Sequence, residues 1–301
     1  MVRSNLYLER AQEFFAFQYD FVALALGASV IVGVVCGLVG TFLVLRGYSL
    51  VGDAIGHATL PGVAAAFLIT GTQHPGALLT GALLSGLLGA VTVGVFSRGP
   101  RVRSDAAIGI VLSVFFGLGI LLVAMIQASP TGTQAGLTNF LFGNAAAITA
   151  GQLQVLAGLS LALCVAIGIW FRPLAIVTFD PGFGRSLGLN VSALEMGLLA
   201  ALSMAVVVSI QAVGVILVAA MVIIPPSAAR FLSRRIQGVA LWSMAIGGVS
   251  GAMGAFLSYL FEGVATGPAM VVVATGFFLL ALFLGPFNGV LATALRKRRA
   301  R

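Results

Sequence analysis

The chain has 301 residues, 60% of them hydrophobic and only 8% charged, with a mean hydropathy of +1.13. No soluble domain could hide that much apolar side chain from water, so the composition makes this a polytopic membrane protein, and its long apolar runs exclude a β-barrel, whose strands alternate. The formal charge of +8 does not point to nucleic acid, because the basic residues sit at the ends of apolar segments, where the positive-inside rule puts them.

In chain order, the stretch up to Tyr19 carries Arg3, Glu9, Arg10 and Glu13 among Phe14, Phe15 and Phe17. It lacks the apolar middle and small-residue cleavage site of a signal peptide and reads as an interfacial helix. Apolar stretches of membrane length follow at about 20 to 45, 54 to 71, 75 to 97, 106 to 127 and 151 to 171. Residues 193 to 229 are too long for one crossing and break at Gln211-Ala-Val-Gly214 into two; two more run at about 239 to 261 and 268 to 291. The expected fold is therefore all-α, a helical bundle of about nine transmembrane helices. With the N-terminus outside, 14 of the 16 basic residues fall on the cytoplasmic side, including Arg46, Arg172, Arg185, Arg230 and the tail Arg296 to Arg301. The stretch 128 to 150 is then external, a candidate for a segment that dips back into the membrane. No linker or low-complexity tract divides the chain, so residues 1–301 read as one transmembrane domain, with 1–19 as the interfacial segment and 292–301 as a basic tail anchored on anionic lipid.

The polar residues inside this apolar chain are few enough to weigh one by one. Asp53 and His57, one of only two histidines, stand four apart in SLVGDAIGHATLPG, where a crossing begins. Helical spacing stacks them on one face, offering an oxygen and a nitrogen to one divalent cation. Ionisable groups at membrane depth normally face a bundle interior or a wet cavity. The other reading of the pair is a helix-capping Asp53 beside a hydrogen-bonded core histidine. Lys297 is the only lysine and lies in the tail, so no G-x-x-x-x-G-K-[ST] loop exists and the chain cannot be its own ATPase. No nucleophile, base and orienter come together in the sequence either, so an enzyme is not expected. Cys36 and Cys164 lie inside apolar segments and read as small core residues. His74 and Glu262 read as solvated loop residues, Glu195 as half of an ion pair with Arg185 or Arg230, and Ser209 and Gln211 as helix contacts at the break. Phe115, Phe116, Phe140, Phe142, Phe277 and Phe278 are assigned packing roles.

Four strings, SLVGDAIGHATLPGVA, FDPGFGRSLGL, VGVILVAAMVIIPPSAARFL and TGPAMVVVATGFFLLALFLGP, resemble in order and spacing, over residues 40 to 286, the permease subunits of manganese, zinc and iron ABC importers. The resemblance implies that Asp53 and His57 are the metal-coordinating pair of the translocation path, with Pro61 and Gly62 loosening the helix beyond them. It implies that the loop Asp180, Pro181, Phe183, Arg185, Leu187, Gly188 is a cytoplasmic coupling helix docking on a separate ATPase; Gly182 and Gly184 would leave that helix short or loose. The implied partners are a cytoplasmic ABC ATPase, an extracytoplasmic metal-binding protein, a second permease copy and membrane lipid, but no nucleic acid. No cofactor is held permanently; the transported ion is Mn, Zn or Fe. The setting is a cell membrane, inner or plasma, crossed many times with the C-terminus cytoplasmic. Two alternatives are an ABC permease for a metal chelate and a stand-alone proton-coupled secondary carrier.

Overall fold

The structure is a computed structural model that describes residues 10, 12–14, 16, 19–72, 74–97, 103–128, 145–261, 263–287 and 289–291. Expectations for the extreme N-terminus, for 129–144, for Glu262 and for the 292–301 tail lie outside the described residues.

The described residues form helices without a strand: α1 (Asp20–Leu45), α2 (Val51–Ala58), α3 (Leu60–Thr70), α4 (Pro75–Phe96), α5 (Ser104–Ala128), α6 (Ala150–Ile169), α7 (Phe171–Phe179), α8 (Pro181–Ser186), α9 (Val191–Val213), α10 (Val215–Leu232), α11 (Ile236–Leu260) and α12 (Thr266–Leu284). Among them, eight segments are long and apolar enough to cross a membrane, α2 and α3 together making one. The ninth expected crossing, α10, is apolar but shorter, because the long run turns at a single residue, Gly214, whose φ of +85° suits glycine.

Local chemistry sets the ends. Thr149 and Gln152 form a reciprocal capping box on α6; Asn190 Oδ1 accepts the Ala193 N–H at 3.0 Å to start α9; Pro75 opens α4 where its missing N–H is harmless. Membrane helices gain little from burying apolar surface against one another, so close backbone approach between small residues holds the bundle. α1 is the axis. It runs antiparallel to α11, with Ser29, Gly33 and Gly37 facing Gly251, Gly247 and Ser243, and Ser243 Oγ donates to the Gly37 carbonyl at 2.7 Å. Farther along, Gly40 lies against the Val222 carbonyl of α10, one that Pro226 cannot hydrogen-bond. α6, α9 and α10 complete the wrapping of α1.

The alternation of helix direction gathers Arg46, Arg103, Arg172, Arg185, Arg230, Arg234 and Arg235 at one end of the bundle, here called the basic end. At the other end Phe14 is buried against Phe256 and Tyr259 of α11, and the Tyr259 hydroxyl donates to Glu13 at 2.9 Å.

Candidate metal path and docking helix

α2 and α3 are one crossing in two pieces. Pro61 has no N–H to give the His57 carbonyl, and the Thr59 hydroxyl takes up the Gly56 carbonyl at 2.6 Å, so the helix is interrupted at Thr59. The interruption falls two residues before the proline whose loosening effect the sequence implied. Two faces of α2 are closed. Gly52 and Gly56 lie against Val222 and Val215 of α10, while Ala58 meets Gly89 of α4 and its carbonyl accepts from Ser85 Oγ at 2.6 Å. Asp53 and His57 occupy the face that remains, toward α5.

Asp53 Oδ1 stands 3.4 Å from His57 Nε2, with 40% of the aspartate side chain and 19% of the histidine side chain exposed. Asp53 is the third residue of α2 and caps nothing; the N-cap is Leu50. His57 Nδ1 is buried with no hydrogen-bond partner among the described residues, so the polar contact of the ring is the one from Nε2 to Asp53. The ring is also positioned by the edge of Phe116, 4.8 Å away between centroids and at 72°. Both donor atoms therefore lie on the side of α2 that faces α5. Two ligands each about 2.1 Å from one tetrahedral ion would stand about 3.4 Å apart, the separation seen here before any ion is added. No group of three or more His, Cys, Asp or Glu comes together among the described residues, so one chain offers two such donors.

At the basic end, α8 is short but well closed. Asp180 Oδ1 accepts the Phe183 N–H at 2.8 Å; at the other end Leu189 N–H reaches the Gly184 carbonyl and Gly188 N–H the Arg185 carbonyl, a Schellman closure around Gly188 at φ +77°. Gly184 is not a loosening residue. Its Cα faces Val177 of α7 and Val191 of α9 so closely that a side chain would press on both. Phe183 and Leu187 are each about half exposed on the outward side, and Arg185 and Pro181 flank them.

Glu195, one turn into α9, accepts from Arg46 Nη2 at 2.5 Å. The sequence offered Arg185 or Arg230 as partners; Arg46, 149 positions away, ends α1 directly beside α9. Both side chains line a cavity of about 540 Å³ at the foot of α2, together with Tyr48, Val51, Ser97 and Arg185. Ser209 does bridge helices, donating to the Ala205 carbonyl at 2.6 Å with Cys36 Sγ of α1 at 3.4 Å. His74 precedes α4 as an extended N-cap residue without a side-chain cap bond. Sequence reasoning missed Phe116 and the role of Arg46. Nothing in the sequence separates Phe116 from Phe115 beside it, whereas Arg46 was visible as the first charge after an apolar run.

Residues 18–285 match the ABC 3 transport family. The chain is 43% identical over 285 residues to the manganese transport system membrane protein MntC of Bacillus subtilis (strain 168), covering 94% of this chain and 65% of that one. It is 40% identical to the zinc transport system membrane protein TroC of Treponema pallidum (strain Nichols), covering 93% and 94%. Among solved structures, PsaBC from Streptococcus pneumoniae in complex with Fab superimposes with a TM-score of 0.82 at 33% identity, over 94% of this chain and 99% of that one. With a match across nearly the whole bundle, and in keeping with the resemblance carried by residues 40 to 286, the chain belongs to the ABC 3 transport family.

Proposed function

We propose that this chain is the permease subunit of an ATP-driven importer of a divalent transition metal, with Asp53 and His57 as its ion ligands. The observation that carries the proposal is the 3.4 Å separation of Asp53 Oδ1 and His57 Nε2 on the face of α2 turned toward α5. A carboxylate and an imidazole suit Mn, Fe(II) or Zn better than Ca or Mg, which prefer oxygen shells. The relatives named for manganese and for zinc transport support the same cargo class. Two donors leave a transition metal under-coordinated, so a second permease copy presenting its own pair completes a four-ligand cage. The gathering of arginines at one end supports a cytoplasmic basic end and an N-terminus outside. An extracytoplasmic binding protein then delivers the ion, and a cytoplasmic ATPase seated on Phe183 and Leu187 drives the change of access. The chain itself supplies path and coupling, and the ATP chemistry belongs to the partner.

The test is cellular Mn, Fe, Zn and Co by elemental mass spectrometry in an importer-deficient strain expressing the permease with its ATPase and binding protein. One metal rises with the wild type and with neither Asp53→Ala nor His57→Ala at equal membrane abundance. If no metal rises, or if both variants match the wild type, the pair is not the ligand set, and a chelate permease or proton-coupled carrier takes its place.

A further inference from the structure

We infer that Arg46 and Glu195 form a strut that ties the docking helix α8 to the metal-bearing helix α2, and that the two are positioning residues for coupled transport. The inference rests on the proposed roles of Asp53, His57 and α8.

From the α8 side, Gly184 is wedged between Val177 and Val191, and Val191 is the first residue of α9. Asn190 caps that helix, and the next turn brings Glu195 to Arg46. From the α2 side, Arg46 is the C-cap of α1. Tyr48 N–H bonds the Leu43 carbonyl at 2.9 Å and Gly47 N–H the Val44 carbonyl at 3.2 Å, after which Val51 N–H returns to the Tyr48 carbonyl at 3.1 Å and α2 begins. Every link between α8 and Asp53 is therefore a packed contact, a hydrogen-bonded turn or this ion pair. α9 also packs directly on α1 and α2, and within that packing the ion pair is the charged contact, joining positions 149 apart.

The pair is also costly for a mere clip. The Arg46 side chain is 9% exposed, with its guanidinium above the Tyr48 ring at 5.5 Å, and Glu195 is 24% exposed. Apolar side chains of similar volume would hold two helices together at least as well as a buried pair of charges. What charges add is a fixed direction between guanidinium and carboxylate. Among the described residues, a cavity of about 540 Å³ lies beside the pair. A coupling element of this kind works as a contiguous network whose equilibrium the docked ATPase and the bound ion both bias.

The test uses proteoliposomes holding the permease–ATPase complex with its binding protein, supplied with Mn²⁺ or Zn²⁺, and reads metal imported and ATP hydrolysed in the same vesicles. Glu195→Gln and Arg46→Gln each lower metal imported per ATP by about tenfold while hydrolysis continues, and the exchange of Arg46→Glu with Glu195→Arg recovers it to within about threefold. Single variants that import like the wild type overturn the strut. So does a joint loss of import and hydrolysis that the exchange leaves unrepaired, because the pair then only holds the fold. If Glu195→Gln does not accumulate, Arg46→Lys keeps the charge without the planar fork, and wild-type import per ATP by that variant also counts against the strut. Asp53→Ala separates this from the metal assignment. Import lost there but intact in the strut variants removes the strut alone, whereas import intact in Asp53→Ala removes the metal assignment beneath it.

Discussion

Glycines on the α1–α11 seam and glycines on the outer side of α5 are the same residue in opposite settings. A methyl on Gly33 would overlap the Gly247 carbonyl, and one on Gly251 would overlap that of Ser29, so the α1–α11 seam is backbone against backbone. Gly109 and Gly117 of α5 have nothing within 4 Å of where a methyl would go, and Val114, Leu118, Leu121 and Met125 on that helix are exposed. The seam is finished within one chain, while the outer face of α5 is left to lipid or to another protein. Asp53 and His57 stand on the border. They are backed by α10 and α4 and face the inner side of α5, where Phe116 packs on the His57 ring. For the proposed ligand pair, such a place holds the supporting backbone fixed.

The largest effect should come from breaking the finished side. Gly33→Val forces α1 and α11 apart and costs about 3 kcal/mol or more, seen as loss of membrane abundance and of the thermal transition of the detergent-solubilised protein. Gly117→Ala is the matching change on the open side. Among the described residues it meets no atom within 4 Å, and its helix propensity raises monomer stability by about 0.5–1 kcal/mol. Equal losses at the two positions would erase the contrast between the seam and the α5 face.

Much of this contrast was legible in the sequence and part was not, for physical reasons. Run length alone placed the crossings, since the bilayer dictates it, and the break at Gly214 was signalled by a glutamine and a glycine in an otherwise apolar stretch. The stacking of Asp53 and His57 on one face was legible because helical spacing is fixed. The partner of Glu195 was not legible: sequence proximity suggested Arg185 or Arg230, yet helix packing brings Arg46 from 149 positions away. Gly184 read as a weak spot because propensity scales ignore neighbours, while Val177 and Val191 leave space for nothing larger without displacement.

An intermediate effect sharpens the comparison within α8, which repeats it on a scale of six residues: Gly184 faces a closed interior, and Phe183 and Leu187 face outward. Asp180→Ala removes the acceptor for the Phe183 N–H and costs about 1 kcal/mol, local to the helix start. The check is faster amide hydrogen exchange over residues 181–186 with the rest of the bundle unchanged.

The smallest effect on the fold is expected from Phe183→Ala combined with Leu187→Ala. Each side chain is 53% exposed, so the doubly truncated protein should keep its stability to within about 0.5 kcal/mol. If that face is the ATPase seat, the same change removes two apolar anchors from a helix-in-groove contact and weakens binding of the purified ATPase subunit by about tenfold or more. Interferometry on permease held in nanodiscs measures that binding, and a thermal melt of the same sample measures the fold. Unchanged binding at unchanged stability would place the seat elsewhere on the basic end, and α8 would lose its part in both coupling and the strut. Weakened binding at unchanged stability separates the outer face of α8 from its inner one: Gly184 keeps the helix in place, and its two exposed side chains engage the partner that moves it.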